Sequence, residues 1–197
     1  TLIDTLATGG SEAEVIHVEG PYVEIQNNSV HVKMAGYSRY GVYLDGTGAG
    51  DATIASNFIQ GAEFGVRSST PSTVGPTITY NTIADAKYGV YVDDAGGAVT
   101  IQHNTFTRGD GDLTHGIGIR LASGVIGGVV ERNLIQNVAT GIVCNGAGSM
   151  TYYHNILSNS DGGAVTSSCS LSSTEIALKE ALFCDGNDGM QYATQRI

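Results

Sequence analysis

Basic residues are scarce in this sequence. Lysine and arginine together number nine among 197 residues, they occur singly, and the formal net charge is −10. A protein that binds a phosphate backbone needs a cluster of positive side chains on one face. The composition therefore argues against nucleic acid as a partner.

Long apolar runs are missing as well. A helix that crosses a membrane needs about 20 consecutive apolar residues, and no stretch of the chain comes near that length. Helical periodicity is almost absent before Thr174. The sequence therefore predicts a protein with little helix and no membrane span, which is soluble or anchored by something outside this chain.

The chain has only three cysteines, an odd number that cannot all pair in disulfides within one chain. Cys144 falls at an inward position of a predicted strand, where a thiol behaves as a small buried apolar group. Cys169 and Cys184 flank the only helix-like segment. These two could form a disulfide if the protein is secreted.

What the chain has instead is a repeat. An Asn followed two residues later by a bulky apolar residue recurs at intervals of 29, 24, 23, 29 and 22 residues. The six copies begin at Asn28, Asn57, Asn81, Asn104, Asn133 and Asn155. A Gly followed by a short apolar run keeps step with them, at Gly41, Gly65, Gly89, Gly118, Gly141 and, degenerately, Gly163. Such a period is typical of a solenoid, in which neighbouring turns bury each other's apolar face.

Each repeat has the composition of short strands. β-Branched or aromatic residues precede each Asn, as in Thr77-Ile-Thr79 and Val99-Thr-Ile101. After each Gly the pattern alternates, so that Val90 and Val92 are predicted to face inward and Tyr91 outward. We expect the corner Asn residues, which tolerate a left-handed backbone, to stack and hydrogen-bond between turns rather than to form a site.

Short strands, Gly and Asn at the corners and the lack of a helix in each repeat resemble the right-handed parallel β-helix superfamily. This is the pectate-lyase-like group, which includes carbohydrate-binding and sugar-cleaving proteins. The resemblance implies an all-β fold, a single-stranded right-handed parallel β-helix of about seven coils with a short C-terminal capping helix. Residues 1–170 are predicted to form the solenoid and residues 171–197 the cap of the same domain. The resemblance specifies a fold and not a reaction.

Both ends of such a solenoid need to be covered, because an open sheet edge invites pairing with other chains. Residues 1–14 hold few bulky apolar side chains, so we expect preceding coils, another domain or a partner subunit to cover the N-terminal end. The chain begins at Thr1 rather than Met, and we expect an N-terminal segment such as a signal peptide either to have been removed or to be left out of this sequence. Ser172-Ser-Thr-Glu175 resembles a capping box, which predicts the capping helix from there to about Leu182.

The outward positions after each Gly predict a binding face. Across neighbouring coils they form one column of alternating aromatic and cationic side chains: Tyr43, Arg67, Tyr91 and Arg120, followed by Val143. A second column lies just before the Gly: Tyr40, Phe64 and Tyr88. Parallel strands lie about 4.8 Å apart, so the rings could stack on sugars while the arginines bind hydroxyls or carboxylates of an extended polysaccharide. Equally, the rings could pack on one another and shield the backbone.

Catalysis on such a face would need paired carboxylates for hydrolysis, or a base with a Ca²⁺-held uronate for β-elimination. The candidate catalytic residues are Asp93, Asp94, Asp110, Asp112 and His115. Asp93-Asp94 followed by His115-Gly116 is similar to the paired Asp and His-Gly elements of the polygalacturonase family. The register differs, however, the Asn-Thr-Asp element of that family is absent, and Gly141-Ile-Val-Cys144 replaces its Arg-x-Lys element.

The sequence thus predicts a secreted or cell-surface protein that binds a polysaccharide, with lyase or hydrolase activity left open. It assigns no metal site and no cofactor, although the acidic cluster could hold Ca²⁺ through its carboxylates. The alternative is a structural or adhesive β-helix segment of an appendage, an adhesin or a phage tail spike, without catalysis. The incomplete catalytic set and the open N-terminal end favour this alternative.

Overall fold

The computed structural model describes residues 2–5, 13–32, 39–109, 116–158 and 176–178. Within these ranges the chain forms eighteen β-strands and one short 3₁₀ turn, Ala49–Asp51. None of the helical structure in this part of the chain is long and apolar enough to cross a membrane.

In chain order the strands are β1 (Leu2–Thr5), β2 (Ala13–Val18), β3 (Glu24–Gln26), β4 (Ser29–Val32), β5 (Arg39–Asp45), β6 (Thr53–Ala55), β7 (Phe58–Gln60), β8 (Phe64–Thr70), β9 (Thr77–Thr79), β10 (Thr82–Ala84), β11 (Tyr88–Gln102), β12 (Thr105–Thr107), β13 (Ile117–Glu131), β14 (Leu134–Gln136), β15 (Thr140–Cys144), β16 (Ser149–Tyr153), β17 (Ile156–Ser158) and β18 (Ile176–Leu178).

All pairings between these strands are parallel and join one coil to the next. The front sheet contains β2, β5, β8, the first halves of β11 and β13, and β15. The middle sheet contains β3, β6, β9, the second halves of β11 and β13, and β16. The rear sheet runs β1-β4-β7-β10-β12-β14-β17-β18. Six complete coils, flanked by β1 and β18 from the adjoining turns, confirm the predicted parallel β-helix.

The prediction of a C-terminal capping helix is wrong for Ile176–Leu178, the part of the predicted helix that the structure describes. Ile176–Leu178 is a strand that pairs in parallel with Ile156–Ser158 of β17. The free edge of β17 offers backbone hydrogen bonds that outweigh the modest helix propensity of these residues. The remainder of the predicted cap, 171–175 and 179–197, lies outside the described residues.

The core is a stack of inward-facing aliphatic side chains. Val42, Val66, Val90, Ile119 and Ile142 pair in register along the front sheet, and each is 0% exposed. Burial of one such side chain stabilises the fold by about 2 kcal/mol. The predicted alternation after each Gly is therefore confirmed.

Cys144 ends a second inward column, where it is in register with Leu121 and buried as predicted. Its sulfur is part of a disulfide, however, and is not a free thiol. The other two cysteines of the chain, Cys169 and Cys184, lie outside the described residues. The predicted Cys169–Cys184 disulfide therefore stays a prediction.

The repeated Gly before each inward run is required by close packing. A Cβ atom at Gly89 would lie 2.4 Å from Cδ1 of Phe106 on the rear sheet and 2.5 Å from the carbonyl oxygen of Gly118 in the next coil. Equivalent contacts surround Gly41, Gly65 and Gly118. At this corner the front sheet approaches the rear sheet too closely for any side chain.

The Asn motif forms a buried ladder of amides, as predicted. Asn104 is 1% exposed. Its side-chain oxygen accepts hydrogen bonds from the backbone and side-chain amides of Asn81, at 2.9 and 3.0 Å. Its side-chain nitrogen donates to Oδ1 of Asn133 at 3.0 Å and to the carbonyl of Ile78 at 2.9 Å. The left-handed conformation expected at the ladder residues is found one residue earlier, as at His103 with φ of 55°.

Replacing Asn104 by Ala should destabilise the protein strongly. The change removes the side-chain acceptor of the Asn81 backbone N–H and breaks three further buried hydrogen bonds, with the Asn81 side chain, Asn133 Oδ1 and the Ile78 carbonyl. A buried donor left without an acceptor costs about 1–3 kcal/mol. We expect the free energy of unfolding to fall by about 3 kcal/mol, measured by urea denaturation.

The matched control is Asn28→Ala at the end of the ladder. Asn28 is only partly buried and donates to Asn57 and to the carbonyl of Gln26. Its loss should cost about 1 kcal/mol. Equal destabilisation by the two substitutions would contradict a cooperative ladder.

Candidate functional site

The predicted outward column exists on the front sheet. Strand register places its members side by side, one from each coil: His17, Tyr43, Arg67, Tyr91, Arg120 and Val143. Each coil contributes one residue at the same position of its strand, so the order of residue types in the repeat becomes an alternation of tyrosines and arginines from Tyr43 to Arg120. We call the outward surface of this sheet the front face.

The second aromatic column supports the first from the side. Its rings stack in sequence along the coils: Tyr40 on Phe64 at 5.2 Å between centroids, and Phe64 on Tyr88 at 4.9 Å. Tyr40 is 1% exposed and Phe64 is 8% exposed, so neither ring offers a face to a ligand. The predicted ligand-binding residue Tyr40 is therefore wholly buried, while Tyr88 is half-buried. Ring packing, the alternative considered from the sequence, accounts for this part of the column.

Arg67 is fully engaged within the front face. Its Nε donates to Oδ2 of Asp93 at 2.6 Å and its Nη1 donates to the Tyr40 hydroxyl at 2.6 Å. Its guanidinium also lies within 6 Å of the rings of Tyr43 and Tyr91, at 5.6 and 5.8 Å. Burial lowers the pKa of Arg67, but the hydrogen bond and charge of Asp93 outweigh it, so the pKa is raised above its ordinary value.

Asp93 lies in a β-bulge. The register passes directly from Val92 to Asp94, which pairs with Ser69 of β8 and Gly124 of β13. Asp45, in the coil before β8, also pairs with Ser69, so the regular alignment across these coils joins Asp45, Ser69 and Asp94. Asp93 is therefore the extra residue of the bulge. The extra residue re-aims its side chain, and Asp93 forms its ion pair with Arg67 from the preceding coil.

The same carboxylate affects Tyr91. Burial raises the pKa of the Tyr91 hydroxyl, and its hydrogen bond with Asp93 and the charge of Asp93 raise it further. The charges of Arg120 and Arg67 act in the opposite direction, but the pKa remains raised. Tyr91 is therefore a neutral hydrogen-bonding ring throughout the physiological range.

Arg120 differs from Arg67 in having no anionic partner among the described residues. Its guanidinium lies 4.9 Å from the Tyr91 ring centroid. Its Nη1 reaches the Tyr88 hydroxyl at a long 3.4 Å, and its Nε is buried without a hydrogen-bond acceptor. Arg120 thus presents a positive charge that no carboxylate of the described residues pairs with.

The candidate catalytic residues are only partly placed by the structure. Asp93 and Asp94 adjoin the front face, but Asp110, Asp112 and His115 lie outside the described residues. Within the described ranges, no group of three or more His, Cys, Asp or Glu side chains is arranged to hold a metal ion. The catalytic roles of these five residues stay predictions.

His17 is a member of the column that sequence reasoning overlooked. Its ring stacks on Tyr43 at 5.3 Å, and it lies between Glu14, at 3.5 Å, and Glu19, at 3.8 Å. The signal was present in the sequence, because Val15-Ile-His-Val18 has the same alternation as the runs that follow each Gly. Only the Gly is missing from that coil.

The comparisons with known proteins agree with this architecture. The family model described as the right handed beta helix region matches residues 14–178. A search of curated proteins and a search of solved structures each found no match. The matched segment contains all six complete coils and most of the chain. The chain therefore belongs to the right-handed parallel β-helix family.

Proposed function

We propose that this β-helix protein binds an extended, carboxylate-bearing polysaccharide across its front face. Arg120 carries the proposal, because it is a half-buried cation with an unused donor and no carboxylate partner among the described residues. A sugar carboxylate beside the guanidinium would supply the missing negative charge. The half-buried rings of Tyr88 and Tyr91 lie directly beside this guanidinium and add apolar contact area next to the charge.

The shape of the front face favours a polymer over a single sugar. The column from His17 to Arg120 crosses five coils, and four steps of about 4.8 Å span roughly 19 Å. A chain of several sugar units could lie along it, perpendicular to the strands. Half-buried Tyr43 lies two coils beyond Tyr91 and would contact sugar units distant from Arg120. Arg67 lies in the coil between the two tyrosines and would hold both rings in place through its contacts with them.

Binding is better supported than cleavage. The Asp93 carboxylate is engaged in an ion pair with Arg67 at 2.6 Å, and the raised pKa of Arg67 keeps this arginine protonated. If the protein cleaves its ligand as a lyase or hydrolase, Asp94 remains a candidate together with Asp110, Asp112 and His115. Polysaccharides of this kind occur outside cells, and the proposal therefore includes a secreted or cell-surface location.

The second candidate function is structural: a stiff or adhesive segment of a larger assembly. It is favoured by the contacts of Arg67, which link Asp93, Tyr40 and the rings of three coils without any ligand. In addition, β2 and β3 each have one strand neighbour among the described strands. Their free edges could accept another domain or subunit at the N-terminal end.

The deciding experiment is a panel of neutral and uronate polysaccharides incubated with the protein, with and without Ca²⁺. Reducing ends report hydrolysis, ultraviolet absorbance of unsaturated products reports elimination, and calorimetry reports binding. Saturable binding to uronate polymers supports the proposal. If no polysaccharide of the panel is bound or cleaved, the proposal is contradicted and the structural function is supported.

Arg120→Ala should weaken uronate binding by about 30-fold, because a hydrogen bond to a charged group contributes about 2 kcal/mol. Titration calorimetry at two salt concentrations would measure it, and the remaining affinity should depend less on salt. Arg132→Ala is the matched control, since Arg132 is an exposed arginine outside the front face that pairs with Glu131 at 2.8 Å. Equal losses for both variants would indicate a nonspecific charge effect and contradict the proposed site.

Tyr91→Ala should reduce the same affinity about tenfold, whereas Tyr91→Phe should retain most of it. The ring supplies the stacking surface, and the hydroxyl is already hydrogen-bonded to Asp93. Binding isotherms of the two variants with the same uronate polymer make the comparison. A larger loss in Tyr91→Phe than in Tyr91→Ala would show that stacking is not the source of affinity.

The raised pKa of Tyr91 predicts a stability change at alkaline pH. Folding favours the neutral phenol, so this contribution is complete below the ordinary tyrosine pKa of about 10 and is lost as pH rises through the folded pKa. In Tyr91→Phe the fall in thermal stability above about pH 10 should be smaller than in the wild type. An identical alkaline profile for both proteins would contradict the assigned environment of Tyr91.

A further inference from the structure

A second surface of the protein is formed where the middle sheet turns into the rear sheet. One residue per coil precedes the ladder Asn there, and all of them have φ between 52° and 57°. We call these residues the ladder corner: Asn27, Ser56, Tyr80, His103, Arg132 and His154. This corner lies on a different part of the solenoid from the front face.

The residue types at the ladder corner are not explained by backbone conformation alone. At the corner that follows the rear sheet, the left-handed positions are Gly61, Asp85 and Asn137, which tolerate positive φ well. The ladder corner instead includes Tyr80 and Arg132, whose large side chains disfavour this conformation. Strained residues of this kind are concentrated at functional sites.

Tyr80 forms an exposed aromatic platform. One face of its ring stacks on His103, with 4.7 Å between centroids and 10° between planes. The side chain nevertheless remains 61% exposed, one of the highest values for a large apolar residue among those described. Ser56 occupies the equivalent position in the preceding coil, and its side chain is too small to cover the other face of Tyr80.

The small residue leaves a slot in the stack. Neighbouring coils are about 4.8 Å apart, so Asn27 and Tyr80, which are two coils apart, are separated by roughly 10 Å along the corner. In the coil after Tyr80, the ring of His103 occupies the corner position and stacks on Tyr80. In the coil before Tyr80, Ser56 occupies this position and contributes no ring. The slot is therefore about one planar ring thick.

The slot is uncharged but polar at its base. Ser56 forms its base, and the outward residues beside it on the middle sheet include Ala55 and Thr79. An uncharged, hydroxylated ring with an apolar C–H face matches these walls, since that face stacks on an aromatic ring and its hydroxyls bond to Ser56. We propose that the slot binds one pyranose ring of a neutral glycan, stacked on Tyr80 at the level of Ser56.

This site is separate from the front face and does not depend on it. The front face offers the unneutralised charge of Arg120, which suits a carboxylate. The slot has no charged side chain at the levels of Ser56 and Tyr80 within the ladder corner. A protein with both sites could hold an acidic polymer and a neutral glycan at the same time.

Two substitutions test the slot, and both copy residues that the ladder corner already accommodates. Tyr80→Ser removes the platform and makes this coil resemble the coil of Ser56. Ser56→His fills the slot with the ring that His103 contributes one level beyond Tyr80. Tyr22→Ala is the control, because Tyr22 is also exposed and has positive φ but lies outside the ladder corner.

Binding is measured by saturation-transfer NMR and calorimetry with short oligosaccharides of glucose, galactose and mannose. We expect the wild type to bind at least one of them, and each slot variant to lose roughly tenfold in affinity. Tyr22→Ala should bind as the wild type does, and circular dichroism should confirm that each variant is folded. The inference is overturned if the wild type binds none of these sugars at millimolar concentration, or if both folded slot variants bind unchanged.

Discussion

The buried amide ladder holds the coils of this protein in one register. Each ladder Asn from Asn57 to Asn133 accepts two hydrogen bonds from the Asn of the preceding coil and donates two to the Asn of the next. The ladder residues from Asn57 to Asn155 are at most 2% exposed. Because these bonds leave little freedom in the position of one coil relative to another, equivalent residues align across the whole solenoid. The front face, the stacked aromatic rings and the slot at Tyr80 all exist because a side chain at one position meets its counterpart one coil away.

Regular alignment does not make equivalent residues chemically equivalent. Arg67 and Arg120 lie in the same column and both contact Tyr91, yet Asp93 neutralises only Arg67. The difference arises from one extra residue in β11, which turns Asp93 toward the preceding coil. A local irregularity in a repetitive fold thus separates an internal brace from a charge that is available for binding.

The same logic applies at the ladder corner. A left-handed residue is required there in every coil, but the backbone does not specify which side chain it bears. Ser56 next to Tyr80 creates a gap and a platform, whereas Tyr80 next to His103 creates a closed stack. The two surfaces would then recognise different sugars, by charge at Arg120 and by ring stacking at Tyr80.

The sequence by itself determined the parallel β-helix, the inward columns, the Asn ladder and the alternation of Tyr43, Arg67, Tyr91 and Arg120, because all of these follow from the period of the repeat. Tertiary structure alone decided what the period cannot encode. It buried Tyr40, bulged the chain at Asp93, joined Cys144 in a disulfide and formed a strand at Ile176–Leu178 where a helix was predicted. The burial of Tyr40, the position of Asp93 and the strand at Ile176–Leu178 each depend on a contact between coils: a ring from the next coil, a charge in the preceding one and an unpaired strand edge. Such contacts are long-range in sequence and outweigh local propensity.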